Sequence, residues 1–185
     1  YLPAPLIDFL RSLQSIMLAI SFACLFQFGV EALRPLPGRW RLLRVGPLAL
    51  LFAWVGWAFG PALALAPTLD LWLATITVIA RYSLGFPGAL LAAIGLAQQA
   101  RQLAATYPSS PAPQMLRVGA VALGLYSVLG GLVVPPGPFT TTRWLTTEQI
   151  AALLVLPVPV LRALLGLILA VAVIRSLDIF QLELD

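Results

Sequence analysis

A chain of 185 residues that is 61% apolar and only 10% charged cannot wet the surface of a soluble domain, where roughly a quarter of residues are charged. Its basic residues are all arginine and histidine is absent, which removes the usual general base and the usual haem or transition-metal ligand, so no metal and no cofactor is expected. The net charge of +4 does not point to nucleic acid, because the arginines fall at helix ends and in short loops rather than along one polar face.

Crossing a hydrocarbon core of about 30 Å takes roughly 20 apolar helical residues. Five runs meet that length, so the expected fold is all-α: a polytopic transmembrane helix bundle of about five spans plus one or two short interfacial helices. The first run covers residues 9–33. It holds the single cysteine, Cys24, which reads as a small buried hydrophobe that cannot close an intrachain disulfide. Gln14, Gln27 and Glu31 recur along it, and Glu31 can meet Arg34 across one turn. The second run, 47–66, carries Gly56 and Gly60, a GxxxG face suited to close helix packing. The third, 69–104, would be about 54 Å long at 1.5 Å per residue, more than a bilayer requires. Gly85, Phe86, Pro87 and Gly88 stand in its middle and predict a kink or break, since proline removes a donor and pushes its predecessor out of helical geometry. Residues 69–84 are then expected to lie tilted or along the interface, with 87–103 spanning. A stiff linker with Ser109, Ser110 and several prolines follows. The fourth run is 115–134, with Gly124, Gly130 and Gly131 as small packing positions. A loop rich in proline, glycine and threonine ends in a capping box, Thr146 with Gln149, which predicts a short helix over 148–156. Pro157 and Pro159 stop that helix and begin the fifth run, 158–174. Trp40, Trp54, Trp57, Trp72 and Trp144 fall near the predicted interfaces, where indole is favoured in any case.

Orientation follows from the arginines. Arg34, Arg39, Arg41, Arg44, Arg101, Arg117 and Arg175 share one side, against Arg11, Arg81, Arg143 and Arg162 on the other. The excess marks the first side as cytoplasmic, with residue 1 outside and residue 185 inside the cytoplasmic membrane of a bacterium. Beyond Arg175 the sequence remains helix-compatible, without a glycine cap or a proline. Val173, Leu177, Phe180 and Leu184 repeat at four, three and four residues, the seam of a coiled coil, with Asp178, Glu183 and Asp185 off it. Residues 1–175 therefore read as the bundle and 176–185 as the start of a cytoplasmic signalling helix, Arg175, Leu177, Phe180 and Leu184 included. An amphipathic tail lying on the membrane or on a neighbouring subunit fits the same short pattern.

Ionisable groups in hydrocarbon cost about 2.5–3.5 kcal/mol on insertion scales and usually have a partner or a task. Arg11, Arg81 and Arg162 are such groups, with Asp8 and Asp70 the nearest counter-ions on their side. One reading is an outward-opening pocket in which these arginines hold the anionic head of an apolar ligand, a fatty acid or lipid, lined by Trp72, Tyr82 and Phe86. The other is that they snorkel to head groups or pair with aspartates to fix helix positions. Gly85, Pro87, Gly88, Pro157 and Pro159 are candidate hinges. No nucleophile with a base, no carboxylate pair at spanning depth and no repeat between halves is present, so neither an enzyme nor a lone transporter is expected.

The stretches ARYSLGFPGALLAAIGLAQQARQL, LYSVLGGLVVPPGPF and LPVPVLRALLGLILAVAVIRSLDIFQLELD, marked by Arg81, Phe86, Pro87, Gly88, Arg162 and Arg175, resemble the membrane-embedded input region of bacterial sensor histidine kinases and diguanylate cyclases. The resemblance extends from about residue 9 to the end. It implies a sensory bundle joined through its last helix to a cytoplasmic output domain, with two further helices preceding this segment and one of them carrying histidine. The chain would then be a piece of a larger sensor, with the lipid bilayer and a second copy as partners. The alternative is a structural or accessory subunit of a larger membrane assembly, held there by other membrane subunits.

Overall fold

A computed structural model describes residues 3–33, 42–107, 110–134 and 156–182, with side chains in the last stretch followed as far as Ser176. The described elements are α1 (Ala4–Ala32), α2 (Gly46–Phe59), α3 (Pro61–Leu65), α4 (Leu69–Ala80), a first π-helical turn (Arg81–Gly85), α5 (Phe86–Thr106), α6 (Ala112–Tyr126), a second π-helical turn (Ser127–Leu132) and α7 (Val158–Leu182). The fold is all-α. Five helices are long and apolar enough to cross a membrane: Ala4–Ala32, Gly46–Leu65, Leu69–Thr106, Ala112–Leu132 and Val158–Ser176. The chain is thus a multi-pass membrane protein.

The sequence predicts a kink or break at residues 85–88; the helix is disturbed there but not broken, running from Leu69 to Thr106 with a π turn over Arg81–Gly85. The physical reason lies just upstream of Pro87, whose ring crowds the carbonyl four residues back and which offers no N–H. Widening the coil over Arg81–Gly85 relieves both problems: the Phe86 N–H bonds the Arg81 carbonyl five residues earlier, as in the π bulges that interrupt α-helices. Residues 69–84 are therefore continuous in helix with 87–103. The expected helix over 148–156 and its capping box lie outside the described residues, as do Arg34, Trp40 and Trp144.

Close helix approach explains the centre. α1 and α4–α5 run side by side in the same direction, and small residues let them touch. A Cβ on Gly29 would stand 2.6 Å from the Ala92 nitrogen, one on Gly88 2.9 Å from the Phe26 Cα, and one on Gly95 2.6 Å from the Ala32 Cβ. Gly85 lies beneath the Phe22 ring and Gly131 against the Phe86 backbone. The GxxxG pair in α2 plays no such part: nothing stands within 4 Å of a Cβ on Gly56, and Gly60 meets only the Gly56 carbonyl of its own turn.

α2 is fastened to α4 by indoles. Trp54 Nε1 donates to the Ile76 carbonyl at 2.9 Å and Trp72 Nε1 to the Ala58 carbonyl at 2.8 Å, both buried, and Phe59 packs edge-on against Trp72. These two tryptophans are core groups with satisfied N–H donors, not interfacial anchors. Gln99 closes the far end of α1 by donating to the Ala32 carbonyl at 3.1 Å, and Gln27 donates to Glu31. Cys24 is exposed on α1 rather than buried.

Replacing Gly88 with leucine would drive a side chain into the α1 backbone, at a cost of about 1–3 kcal/mol for overpacking. Thermal unfolding in detergent should show a clear loss for Gly88→Leu and little change for Gly56→Leu. Equal midpoints for the two would contradict the seam.

Candidate functional site

Two arginines converge on the end of α6. Arg81 Nη1 donates to the Gly130 carbonyl at 2.7 Å. From the opposite side Arg162 donates through Nε to the Leu129 carbonyl at 2.8 Å and through Nη2 to the Val133 carbonyl at 2.7 Å. The need for them is written into the sequence. α6 gives way to a π turn and then to extended backbone at Val133, and Pro135 and Pro136 bring no N–H to the carbonyls of the final turn. Gly130, Gly131, Val133 and Val134 are all buried. Where no water reaches, an unpaired carbonyl costs several kcal/mol, and guanidinium supplies the donors.

The arrangement is only partly satisfied on the arginine side. A guanidinium carries five N–H donors; Arg81 uses one here and Arg162 two, and the buried Arg81 Nε has no hydrogen-bond partner. Neither cation meets a carboxylate among the described residues. Their charges act on one another, and Tyr126 lies within electrostatic reach of both, with its ring 3.0 Å from where a Gly130 Cβ would be.

Two cavities open beside this pair. The first, about 550 Å³, lies between α1 and α4 and is lined by polar groups that include Arg11, Gln14, Ser15, Asp70, Thr77 and Arg81. Ser15 and Thr77 hydroxyls sit 3.3 Å apart across it. At its mouth Arg11 pairs with Asp70 at 2.8 Å, the two side chains 55% and 80% exposed, so the pair contributes little to stability. The second, about 480 Å³, is an apolar slot between α1, α6 and α7, with Arg162 and Tyr126 at one end and Leu25 and Leu169 at the other. Leu18 and Ser21 border both cavities.

Of the site residues read from sequence, Arg11, Asp70 and Arg81 meet in one cavity and Arg162 lines its neighbour. Trp72, Tyr82 and Phe86 line neither; Trp72 is committed to α2 and Phe86 lies under Gly131. Among the candidate hinges, Gly85 and Gly88 are buried in the α1 contact. The Pro157 carbonyl accepts the first N–H groups of α7, from Val160 and Leu161, and Pro159 lies in its first turn. Arg175 is exposed. Leu177 and Phe180 belong to α7 by backbone, whereas their side chains and Leu184 lie outside the described residues. Sequence reasoning missed Tyr126, Ser21 and the carbonyls of Leu129, Gly130 and Val133. The adjacent glycines followed by two prolines were the available signal for a helix whose last carbonyls need donors from elsewhere.

No known family, no curated protein and no solved structure matches this chain.

Arg162→Leu leaves the Leu129 and Val133 carbonyls without their charged donor, at about 1.5–3 kcal/mol for each bond lost. Unfolding in detergent should register that loss, with Arg162→Lys recovering part of it. A leucine variant as stable as the parent would refute the role.

Proposed function

We propose that the chain is a membrane signal-input bundle whose last helix, α7, carries a change in the bundle across the membrane. One observation supports this reading above others: α7 stands on a single support. Among the described elements it packs only on α6 and the second π turn. Its described hydrogen bonds to other helices are the two from Arg162. Over an 18-residue stretch of each span, 11% of the α7 span is buried, against 17% of the α2–α3 span and 50% of the α4–α5 span.

The remainder of the bundle is a frame. The glycine seam joins α1 to α5 and the indole bonds join α2 to α4, while the described hydrogen bonds from α7 to its neighbours all lie at one level near its start. From Arg162 to Ser176 a helix reaches about 21 Å, so a small displacement at the arginine is delivered as movement of the far end. Two arrangements close in energy are sufficient for a signal. Arg44, Arg101, Arg117 and Arg175 gather at that far end and favour it as the cytoplasmic side. The seam through Val173, Leu177, Phe180 and Leu184 would take the movement onward in a dimer, to the kind of output that the sensor resemblance implies.

A second reading keeps the same bundle as an accessory subunit. Leu164, Leu167, Val171 and Ile174 are exposed along α7 and suit contact with another membrane helix.

The experiment joins a histidine-kinase output domain in frame after Asp185 and compares the parent with Arg162→Leu. Arg162→Leu removes both charged hydrogen bonds, and a difference of about 1.5 kcal/mol between the two arrangements should shift the output state about tenfold. Cysteines placed singly at Leu177 or Phe180, with Cys24 replaced by serine, should form symmetric disulfides. Unchanged output together with no crosslinking would favour the subunit reading.

A further inference from the structure

The two cavities have complementary chemistry and share a border. The first gives a polar approach from the Asp70 end, past Arg11, Gln14, Ser15 and Thr77 to Arg81. The second is an apolar slot that starts at Arg162 and Tyr126 and runs toward Leu25 and Leu169, about 10 Å along α7 at 1.5 Å per residue. Arg81 lines the first and Arg162 the second, and the two guanidiniums are bound to the neighbouring carbonyls of Gly130 and Leu129. They carry two positive charges with no described carboxylate against them, unused N–H donors, and a buried Arg81 Nε that bonds nothing. A charge pair of this kind in hydrocarbon calls for an anion.

We propose that this cleft binds a single-chain amphiphile with an anionic head, of the fatty-carboxylate class, its carboxylate between Arg81 and Arg162 and its chain in the slot between α1, α6 and α7. The head end of the slot lies toward the first cavity and the chain end toward Leu25 and Leu169. A carboxylate accepts bonds from both guanidiniums and relieves their mutual repulsion. The slot volume, about 480 Å³, falls in the range of about 300–1,000 Å³ usual for small-ligand sites. Because α1 and α7 make no direct packing contact of their own, a chain in the slot would bridge them. The proposal thus deepens the signal-input reading by naming what fills the gap beside α7.

The test measures binding of radiolabelled palmitate to the purified chain in phosphatidylcholine nanodiscs. Saturable binding of one palmitate per chain is expected, with hexadecanol, which lacks the charge, weaker by about tenfold or more. Ser21→Phe should abolish binding: Ser21 borders both cavities and its hydroxyl bonds only the Met17 carbonyl of its own helix, so the fold is spared. Arg162→Gln should also lose binding and Arg162→Lys should retain part of it. Equal affinity for hexadecanol and palmitate, or full binding by folded Ser21→Phe, would overturn the proposal. Displacement of palmitate by phosphatidylglycerol as readily as by palmitate itself would overturn it too, and would assign the site to a bilayer head group. Binding is read without any output domain; intact binding with a silent kinase fusion would sink the transmission reading and leave this one standing.

Discussion

A backbone carbonyl within hydrocarbon must find a donor, because no water is at hand to provide one. The demand is met by side chains at the end of α6. It loses its regular ladder at Ser127 and ends at Leu132, well short of the Asp70 end that α1 and α4 reach. Arg81 and Arg162 close the deficit, and in doing so they fix where α4–α5 and α7 stand relative to α6. The second π turn, the Tyr126 ring over Gly130 and the Phe86 backbone against Gly131 all cluster at this junction.

The same junction separates a stiff part of the molecule from a loosely held one. Backbones pressed together at Gly29, Gly88 and Gly95 cannot slide without collision, and the Trp54 and Trp72 bonds lock α2 onto α4. In contrast α7 packs, among the described elements, only on α6 and the second π turn, with the slot on its α1 side. A bundle built this way concentrates its adjustable contacts at one helix and one pair of cations. That suits a device that converts occupancy beside α7 into displacement of α7, and cores packed as densely as the α1–α5 seam move between discrete arrangements rather than deforming smoothly.

How much of this was legible beforehand differs by feature. The spans were plain in the apolar runs, and the cost of charge in lipid singled out Arg11, Arg81 and Arg162 as well as Asp70. Pro87 told that the helix would be disturbed but not how: proline chemistry permits a break or a widened turn, and the choice was made by α1 packing against both halves. The GxxxG rule selected Gly56 and Gly60, whereas the working seam is Gly88, Ala92 and Gly95 against Gly29, a pattern equally visible in the letters. Which small face is used depends on the partner helix, and spacing alone does not specify it. The tryptophans misled for a related reason, since indole at a membrane interface and indole bonded to a buried carbonyl look identical in one dimension. The partners of Arg81 and Arg162 were hidden because they are backbone atoms, which no side-chain pairing rule reveals.

The most direct measurement is isotope-edited infrared spectroscopy of the chain in lipid, with the Val133 carbonyl labelled by ¹³C and ¹⁸O. If Arg162 holds that carbonyl, Arg162→Leu will move the labelled band to the higher frequency of an unbonded amide, and Arg11→Leu will leave it in place. A band that stays where it was in Arg162→Leu would show that the carbonyl never depended on the guanidinium, and the junction on which the bundle is built here would be lost.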